Sequence, residues 1–154
     1  MITMATKIRE YLSAPTSILP LAIFRIVFGL IMAFSAIRFW SKGWIEDLYL
    51  EVPFQFHYFG FEWVNVPHAS VLYGMFIVLI FSAVLVALGL YYRVAAVIYF
   101  LTFSYIELMD KSLYLNHYYF VSLISFLMIF VPANRTLSLD VKRNPSLAAD
   151  TVAR

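Results

Sequence analysis

The chain has 154 residues, enough for one domain, but its composition excludes an ordinary water-soluble domain. Hydrophobic residues make up 63% of the chain and charged residues 13%, whereas soluble domains carry about 45–50% and about 25%. The net charge of +2 is too small to indicate a nucleic-acid partner, and the absence of cysteine excludes disulfides and thiolate chemistry. The predicted partner of most of the surface is therefore the lipid bilayer.

Residues 1–17 form a predicted cytoplasmic segment that holds Lys7, Arg9 and Glu10. The apolar run that follows, over about residues 18–39, is long enough for a helix to cross a bilayer core of about 30 Å. This run has no small-residue cleavage site. It therefore predicts a retained signal-anchor helix and not a cleaved signal peptide.

Three more apolar runs predict further membrane-spanning helices, over residues 69–90, 94–109 and 113–131. The last two flank the polar turn Asp110-Lys111-Ser112 and predict a helical hairpin. Strands are disfavoured because the runs are continuous and lack the alternation of a transmembrane barrel. We predict an all-α membrane protein, a bundle of about four transmembrane helices over residues 18–140, with a polar and flexible tail at 141–154.

Basic residues in short loops predict the orientation of the bundle. If the N-terminus is cytoplasmic, three basic residues lie on the outer side, namely Arg38, Lys42 and Lys111. Seven lie on the inner side, namely Lys7, Arg9, Arg93, Arg135, Lys142, Arg143 and Arg154. This excess predicts that both termini are inside, in a bacterial inner membrane or its equivalent.

The outer loop over residues 40–68 contains the stretch FQFHYFGFEW at 54–63, which is too aromatic for a solvated linker. Tyr and Trp favour the headgroup region of a bilayer. The stretch therefore predicts a re-entrant or interfacial segment across the outer mouth of the bundle. An ordinary aromatic belt and a substrate-lining wall are both compatible with this composition.

Arg25 lies inside the first predicted span, where an ionisable group is costly unless it has a partner. Asp140 follows the inner end of the fourth span. We predict that these two residues form a structural ion pair that fixes the packing of the helices.

The densest group of polar residues surrounds the outer turn between the third and fourth spans, and it comprises Glu107, Asp110, Lys111, Ser112, Tyr114, Asn116, His117, Tyr118 and Tyr119. In an apolar site the charged form of a lysine is disfavoured, so Lys111 could act as a base. Asn116 and His117, about one turn into the fourth helix, could hydrogen-bond a small polar ligand. A structural alternative is a helix ion pair between Glu107 and Lys111, whose i,i+4 spacing has the favourable order.

Other site classes have little support in the sequence. Three histidines, His57, His68 and His117, lack the spacing of a known metal site, so no metal is predicted. No glycine-rich phosphate loop and no Ser/His/Asp triad spacing is evident.

The outer turn also carries a family resemblance. The segment LMDKSLYLNHYY at 108–119 resembles the Asp-Lys-(Ser/Thr)…Asn-His-aromatic signature of vitamin K-dependent gamma-carboxylases and the related horizontally transferred transmembrane (HTTM) domain. Three other stretches agree in order and spacing, namely FRIVFGL at 24–30, GLYYR at 89–93 and ANRTLSLD at 133–140. The resemblance covers residues 20–140, nearly the whole chain.

The resemblance implies a lyase that couples the oxidation of vitamin K hydroquinone to its epoxide with the carboxylation of glutamate. Oxygen and carbon dioxide are the implied co-substrates, and a glutamate-containing peptide on the outer side is the implied partner. Lys111 is the implied base, and His117 is the second catalytic residue. The implied quinone-binding or substrate-binding residues are Asn116, Tyr114, Tyr118 and His57.

Two functions of other classes stay open. A non-catalytic module would bind a quinone or lipid without turning it over, or would assemble with other subunits. The short length favours this reading, or a chain that is the N-terminal part of a longer carboxylase-like protein. A proton-linked transporter is less favoured, because the charged residues cluster at one mouth and form no path through the bundle.

Overall fold

Four helices of 15 residues or more follow the apolar runs of the sequence. The computed structural model describes Met4 and residues 15–153. In this part of the chain the long helices are α1 (Leu19–Ser41), α2 (Ala69–Leu88), α3 (Tyr92–Leu108) and α4 (Asn116–Phe130). Each of them packs against the next one in sequence. The predicted helical bundle is therefore confirmed.

Two of these helices, α1 and α2, are long and apolar enough to cross a membrane. By contrast, α3 has 17 residues and α4 has 15. At 1.5 Å per residue these two helices are roughly 26 Å and 23 Å long, shorter than a bilayer core of about 30 Å. The fourth helix begins at Asn116 and not at residue 113, because Lys111–Leu113 form a turn of 3-10 helix.

The outer surface of the bundle carries many large hydrophobic side chains. Large hydrophobic side chains on all four helices are more than half exposed, among them Leu30, Phe34, Phe81, Leu101 and Phe130. A helix of a soluble bundle carries polar residues on its outer face, whereas a helix that is apolar all round is typical of a membrane span. The surface is therefore suited to lipid.

The contact between α1 and α2 depends on small residues. A Cβ atom at Gly29 would lie 2.6 Å from the backbone nitrogen of Ala87 and 2.7 Å from the carbonyl oxygen of Ala83. Backbones that approach this closely are typical of helix pairs in membranes, where packing and not the hydrophobic effect drives association.

The segment after residue 140, predicted as a polar tail, contains regular secondary structure in its described part. It contains part of a short helix, α5 (Leu139–Arg143), a 3-10 turn at Pro145–Leu147 and a strand, β2 (Thr151–Ala153). This strand pairs antiparallel with β1 (Pro15–Ser17). Strand pairing uses backbone groups, so the polarity of the side chains does not reveal it. Lys7, Arg9, Glu10 and Arg154 lie outside the described residues.

Arg25 is fully buried, and carbonyl oxygens of the backbone accept its hydrogen bonds. Its Nη1 donates to Val86 and Ala87 at 2.7 and 2.5 Å, its Nε to Ala133 at 3.1 Å and its Nη2 to Leu137 at 2.6 Å. The last carbonyls of a helix lack partners within the helix, and they form the negative end of its dipole. Arg25 therefore caps α2 and ties it to the segment that follows α4.

Asp140 caps the N-terminal end of α3, whereas Arg25 caps the C-terminal end of α2. Its carboxylate accepts hydrogen bonds from the backbone N–H groups of Tyr91 at 2.8 Å and Tyr92 at 3.1 Å, where α3 begins, and from Asn134 Nδ2 at 2.8 Å. Burial raises the pKa of Asp140, but these hydrogen bonds and the nearby Arg143 hold it below its ordinary value. The carboxylate is thus charged and complements the positive end of the α3 dipole.

The predicted ion pair between Arg25 and Asp140 is not formed directly. Among the described residues the ion-pair contact of Asp140 is with Arg143, at 3.9 Å. Each of the two charged side chains is hydrogen-bonded to a helix end at the α2–α3 turn. Arg25 binds the last carbonyls of α2, and Asp140 binds the first N–H groups of α3. Neither side chain therefore requires the other as a partner. They still belong to one network, because the backbone N–H of Asp140 donates to the carbonyl of Gly89 at 2.9 Å.

Gly89 provides the first test of this network. Its φ is +62°, and an added Cβ would lie 2.5 Å from Ser138 Cβ and 2.7 Å from Arg25 Nη1. We expect Gly89→Ala to lower the stability through left-handed strain of about 1–2 kcal/mol and overpacking of about 1–3 kcal/mol. Thermal unfolding in detergent, followed by tryptophan fluorescence, measures the loss.

The matched control is Gly74→Ala, in the interior of α2. An added Cβ at Gly74 meets nothing within 4 Å, and alanine is the better helix former. Its Tm should stay level or rise. Equal Tm values for the two variants would contradict the role of Gly89.

Candidate functional site

A cavity of about 90 Å³ lies between the four helices, at the end of the bundle that was predicted to face outward. Its walls are mainly apolar and aromatic. The polar side chains that line it are Ser35, Tyr49, Tyr99, Glu107, His117 and Tyr118. We call this space the central cavity.

Two open grooves adjoin the central cavity. The first, of about 330 Å³, shares Phe39, Tyr49 and Tyr118 with the cavity, and the segment Glu46–Leu50, a turn of π-helix, contributes to its wall. We call it the π-helix groove. The second, of about 310 Å³, shares Glu107 with the cavity and is lined by three phenols, those of Tyr58, Tyr114 and Tyr119. We call it the tyrosine groove.

His117 and Tyr118 reach the central cavity, as their position in the outer turn suggested. Both lie in the first turn of α4, and their ring centroids are 4.5 Å apart. Tyr118 also packs edge-on against Phe103, with the ring centroids 6.2 Å apart. The imidazole therefore packs against an aromatic ring, and His117 itself is exposed.

The remaining predicted binding residues are spread over different places. Tyr114 lines the tyrosine groove. Asn116 is the first residue of α4 and is exposed, with no place in the walls of the cavity or the two grooves. His57 Nε2 lies 3.1 Å from Asn65 Oδ1 in the outer loop, and His57 does not line the cavity. These two residues are therefore not brought together with His117.

Lys111, the predicted base, has an exposed side chain that lines neither the cavity nor the two grooves. Its place in the fold is set by its backbone, because its N–H donates to the carbonyl of Phe56 at 2.7 Å. Within the described part of the chain it forms no ion pair with Glu107. The i,i+4 geometry is lost, since α3 ends at Leu108 and Asp110 is extended with φ −143°.

Asp110 is a structural residue whose role was not foreseen. Its side chain is buried, and its Oδ1 accepts hydrogen bonds from the backbone N–H groups of Ser112 at 2.8 Å and Phe56 at 3.3 Å. The aromatic stretch at residues 54–63 of the outer loop is called the aromatic loop below. This carboxylate and the backbone hydrogen bond from Lys111 to Phe56 link the aromatic loop to the α3–α4 turn. The sequence signal was the Asp-x-Ser pattern, in which an aspartate caps a turn two residues later.

The aromatic loop is exposed on its far side. Phe54, Phe56, Phe59 and Trp63 are all more than half exposed, and Phe59 is 99% exposed. Aromatic side chains in this position are typical of the membrane–water interface.

Glu107 is the carboxyl of the central cavity, and sequence reasoning treated it only as a partner of Lys111. It lies in the last turn of α3 and lines both the cavity and the tyrosine groove. Burial raises the pKa of Tyr49, and the negative charge of Glu107 raises it further. The same two causes raise the pKa of Tyr58. The carboxyl is therefore close to phenols from the π-helix and from the outer loop.

The histidines have separate local roles. His68 Nδ1 accepts a hydrogen bond from the backbone N–H of Ser70 at 3.4 Å and so caps α2, while His117 lines the cavity. In the residues that the structure describes, no three His, Asp or Glu side chains are grouped as metal ligands.

Asp110→Ala tests the link between the loop and the turn. The loop loses the carboxylate that holds Phe56, so we expect chymotrypsin to cleave residues 54–63 several-fold faster in a limited digest in detergent. Asp110→Asn keeps an accepting oxygen and should restore part of the protection. The matched control is Glu51→Ala, which removes an exposed carboxylate. If Asp110→Ala is cleaved as slowly as the wild type, Asp110 does not hold the loop.

Comparison with known families completes the description of the site. The family model of the HTTM domain matches residues 13–154. This match spans most of the chain, so the chain belongs to the HTTM domain family, which confirms the resemblance carried by the outer turn. No solved structure matches the chain.

Proposed function

We propose that this HTTM domain chain is a multi-pass membrane protein that binds a reduced vitamin K-type quinone and supports carboxylase-like chemistry. The association of the HTTM domain with vitamin K-dependent carboxylases supports the substrate class. The observation that carries the proposal is the central cavity, where His117 and Glu107 face aromatic walls.

A four-span topology is supported by the apolar outer surface of all four helices, and the excess of basic residues in the predicted inner loops favours both termini inside. The aromatic loop would then lie in the outer interface, and a bilayer that is thinner around α3 and α4 would accommodate their shorter length. The open end of the cavity would face outward, where a glutamate-containing peptide can approach.

The residues present fit a quinone ring that carries an apolar chain. Aromatic side chains pack well against a flat ring, with centroids about 4.5–7 Å apart. The central cavity shares Phe39, Tyr49 and Tyr118 with the larger π-helix groove, so a ring at the shared wall could place its chain in that groove.

When bound, a reduced quinone would supply, through its oxidation by oxygen, the strong base needed to remove a glutamate γ-proton. The chain's own residues bind and orient the ring. His117 and Tyr118 can hydrogen-bond a ring oxygen, and the apolar walls of the cavity would cover the faces of the ring.

A second candidate function is a non-catalytic quinone-binding module. The observation that favours it is the position of Lys111, which the family resemblance implies to be the base but which lies outside the cavity walls. Such a module would bind hydroquinone with the same residues and would consume no oxygen.

The topology is testable because the natural chain has no cysteine. Phe59→Cys, in the outer loop, should react with a membrane-impermeant maleimide in intact cells. Ser146→Cys, after α5, should react only after the cells are permeabilised. Labelling of both variants in intact cells would place the two sites on one side of the membrane and contradict the proposed topology.

The chemistry is tested with purified protein in lipid nanodiscs, supplied with vitamin K hydroquinone, oxygen, carbon dioxide and a glutamate-containing peptide. The wild type should form the quinone epoxide, measured by chromatography. His117→Ala should lose about 10²-fold in rate, as expected when a group that positions the reacting ring is removed. His68→Asn, which keeps a helix cap, is the histidine control and should retain the rate.

Lys111→Ala in the same assay tests whether Lys111 is the base that the family resemblance implies. Loss of turnover would support Lys111 as the base, and retained turnover would exclude it. Binding of hydroquinone without any oxygen uptake by the wild type would favour the non-catalytic module.

A further inference from the structure

A third groove lies beside the α2–α3 turn, at the end of the bundle opposite to the central cavity. Its volume is about 570 Å³, and its walls come from α1, the end of α2 and the segment around α5. The apolar side chains that line it are Ile26, Ala87, Leu88, Leu137, Leu139 and Val141. We call it the α5 groove.

Among the described residues, Lys142 is the one charged side chain that lines the α5 groove. It is exposed, and in this part of the chain it forms no ion pair. Its neighbour Arg143 is already engaged, since its guanidinium lies 4.1 Å above the ring of Tyr91 and 3.9 Å from the carboxylate of Asp140. The charge of Lys142 is therefore available to an anion that reaches the groove.

The polar groups in the wall of the groove are hydrogen-bonded within the protein. The carbonyls of Ala87 and Leu137 accept hydrogen bonds from Arg25 at 2.5 and 2.6 Å. The hydroxyl oxygen of Ser138 accepts one from the backbone N–H of Val141 at 3.2 Å. An apolar chain can therefore cover these groups without leaving any of them unpaired, which would be costly.

Leu137 combines a strained backbone with an exposed side chain. Its φ is +47°, in the left-handed region, where residues other than glycine are strained. Its side chain lines the groove and is 57% exposed. An apolar ligand in the groove would remove this side chain from water, which is favourable in proportion to the area covered.

The α5 groove also lies at the level where the bilayer interface is expected. Tyr91, in the adjacent α2–α3 turn, is more than half exposed, and tyrosine favours the headgroup region. From this turn, exposed apolar side chains such as Leu30 and Phe81 continue along α1 and α2. A ligand with its charge at Lys142 and its apolar part along the helices would match this surface. Lipids have this distribution of polarity.

We propose that the α5 groove binds one anionic phospholipid, with an acyl chain on the apolar wall and the phosphate at Lys142. Basic side chains between membrane helices attract anionic headgroups, and a zwitterionic lipid would leave the lysine charge only partly balanced. The exposed Arg93 and Arg135 at the same end of the bundle add to the positive potential. The bound lipid holds the segment after α4 against the α2–α3 turn. This site is independent of the proposed quinone site.

The first test counts the lipids bound to the intact chain. Protein in detergent is titrated with phosphatidylglycerol, or with phosphatidylcholine as the neutral lipid, and native mass spectrometry measures the lipid bound. We expect one phosphatidylglycerol to bind more tightly than any phosphatidylcholine. Lys142→Ala should weaken its binding about five-fold, the effect expected of one basic residue at an anionic surface. The matched control is Lys42→Ala, an exposed lysine at the other end of the bundle, which should keep the wild-type affinity.

Leu137→Gly separates lipid binding from folding. Glycine adopts a positive φ without strain, so without added lipid the Tm of this variant should stay within a few degrees of the wild-type value. The groove loses part of its apolar wall, so the affinity for phosphatidylglycerol should fall several-fold. The lipid should raise the Tm of the wild type, because a ligand of the folded state stabilises it, and should raise that of Leu137→Gly less.

Four outcomes would overturn the proposal, and none of the measurements requires a quinone. Equal affinities of Lys142→Ala and Lys42→Ala, or equal binding of the two lipids by the wild type, would exclude an anionic headgroup at Lys142. Unchanged affinity in Leu137→Gly would exclude an acyl chain in the groove. Displacement of the lipid by inorganic phosphate would indicate a site for a free anion. A lipid-free dimer that dissociates in Leu137→Gly would place a second copy of the chain in the groove.

Discussion

The fold depends on how the last backbone carbonyls of α2 find hydrogen-bond donors without water. In lipid an unpaired carbonyl costs several kcal/mol, so a turn between two membrane helices must supply partners for both helix ends. Arg25 supplies the donors for α2 and Asp140 the acceptors for α3, each from a distant part of the sequence. The segment that follows α4 thereby becomes part of the α2–α3 turn. The direction in which α3 leaves that turn sets where its far end, and with it Glu107, enters the cavity.

The sequence predicted the helices well because their apolar runs are continuous and bounded by polar turns. It predicted the importance of Arg25 correctly but gave it the wrong partner. Reasoning about charges considers side chains, whereas the acceptors of Arg25 are backbone carbonyls, which every residue has and no composition reveals. The pairing of β1 with β2 was missed for the same reason, because it is also made by backbone groups.

The site shows how sensitive such reasoning is to a helix boundary. The i,i+4 pairing of Glu107 with Lys111 requires α3 to continue, but it stops at Leu108 and Asp110 turns the chain. The lysine side chain is carried outward, and the glutamate stays with the cavity. His117 lies in the cavity wall because the helix that holds it begins immediately before it, and Asn116, at that first position, is left outside. The motif at 108–119 thus indicated where the site lies. The geometry of the α3–α4 turn determines which of its residues line the central cavity.

The strand pair β1–β2 has a topological consequence. It brings Pro15 and Ala153 into register, so the polypeptide almost closes into a ring. Every helix of the bundle lies within that ring. Neither α1 nor the segment after α4 can separate from the rest without breaking the closure. The chain therefore enters the described fold at Pro15 and leaves it at Ala153 at neighbouring points.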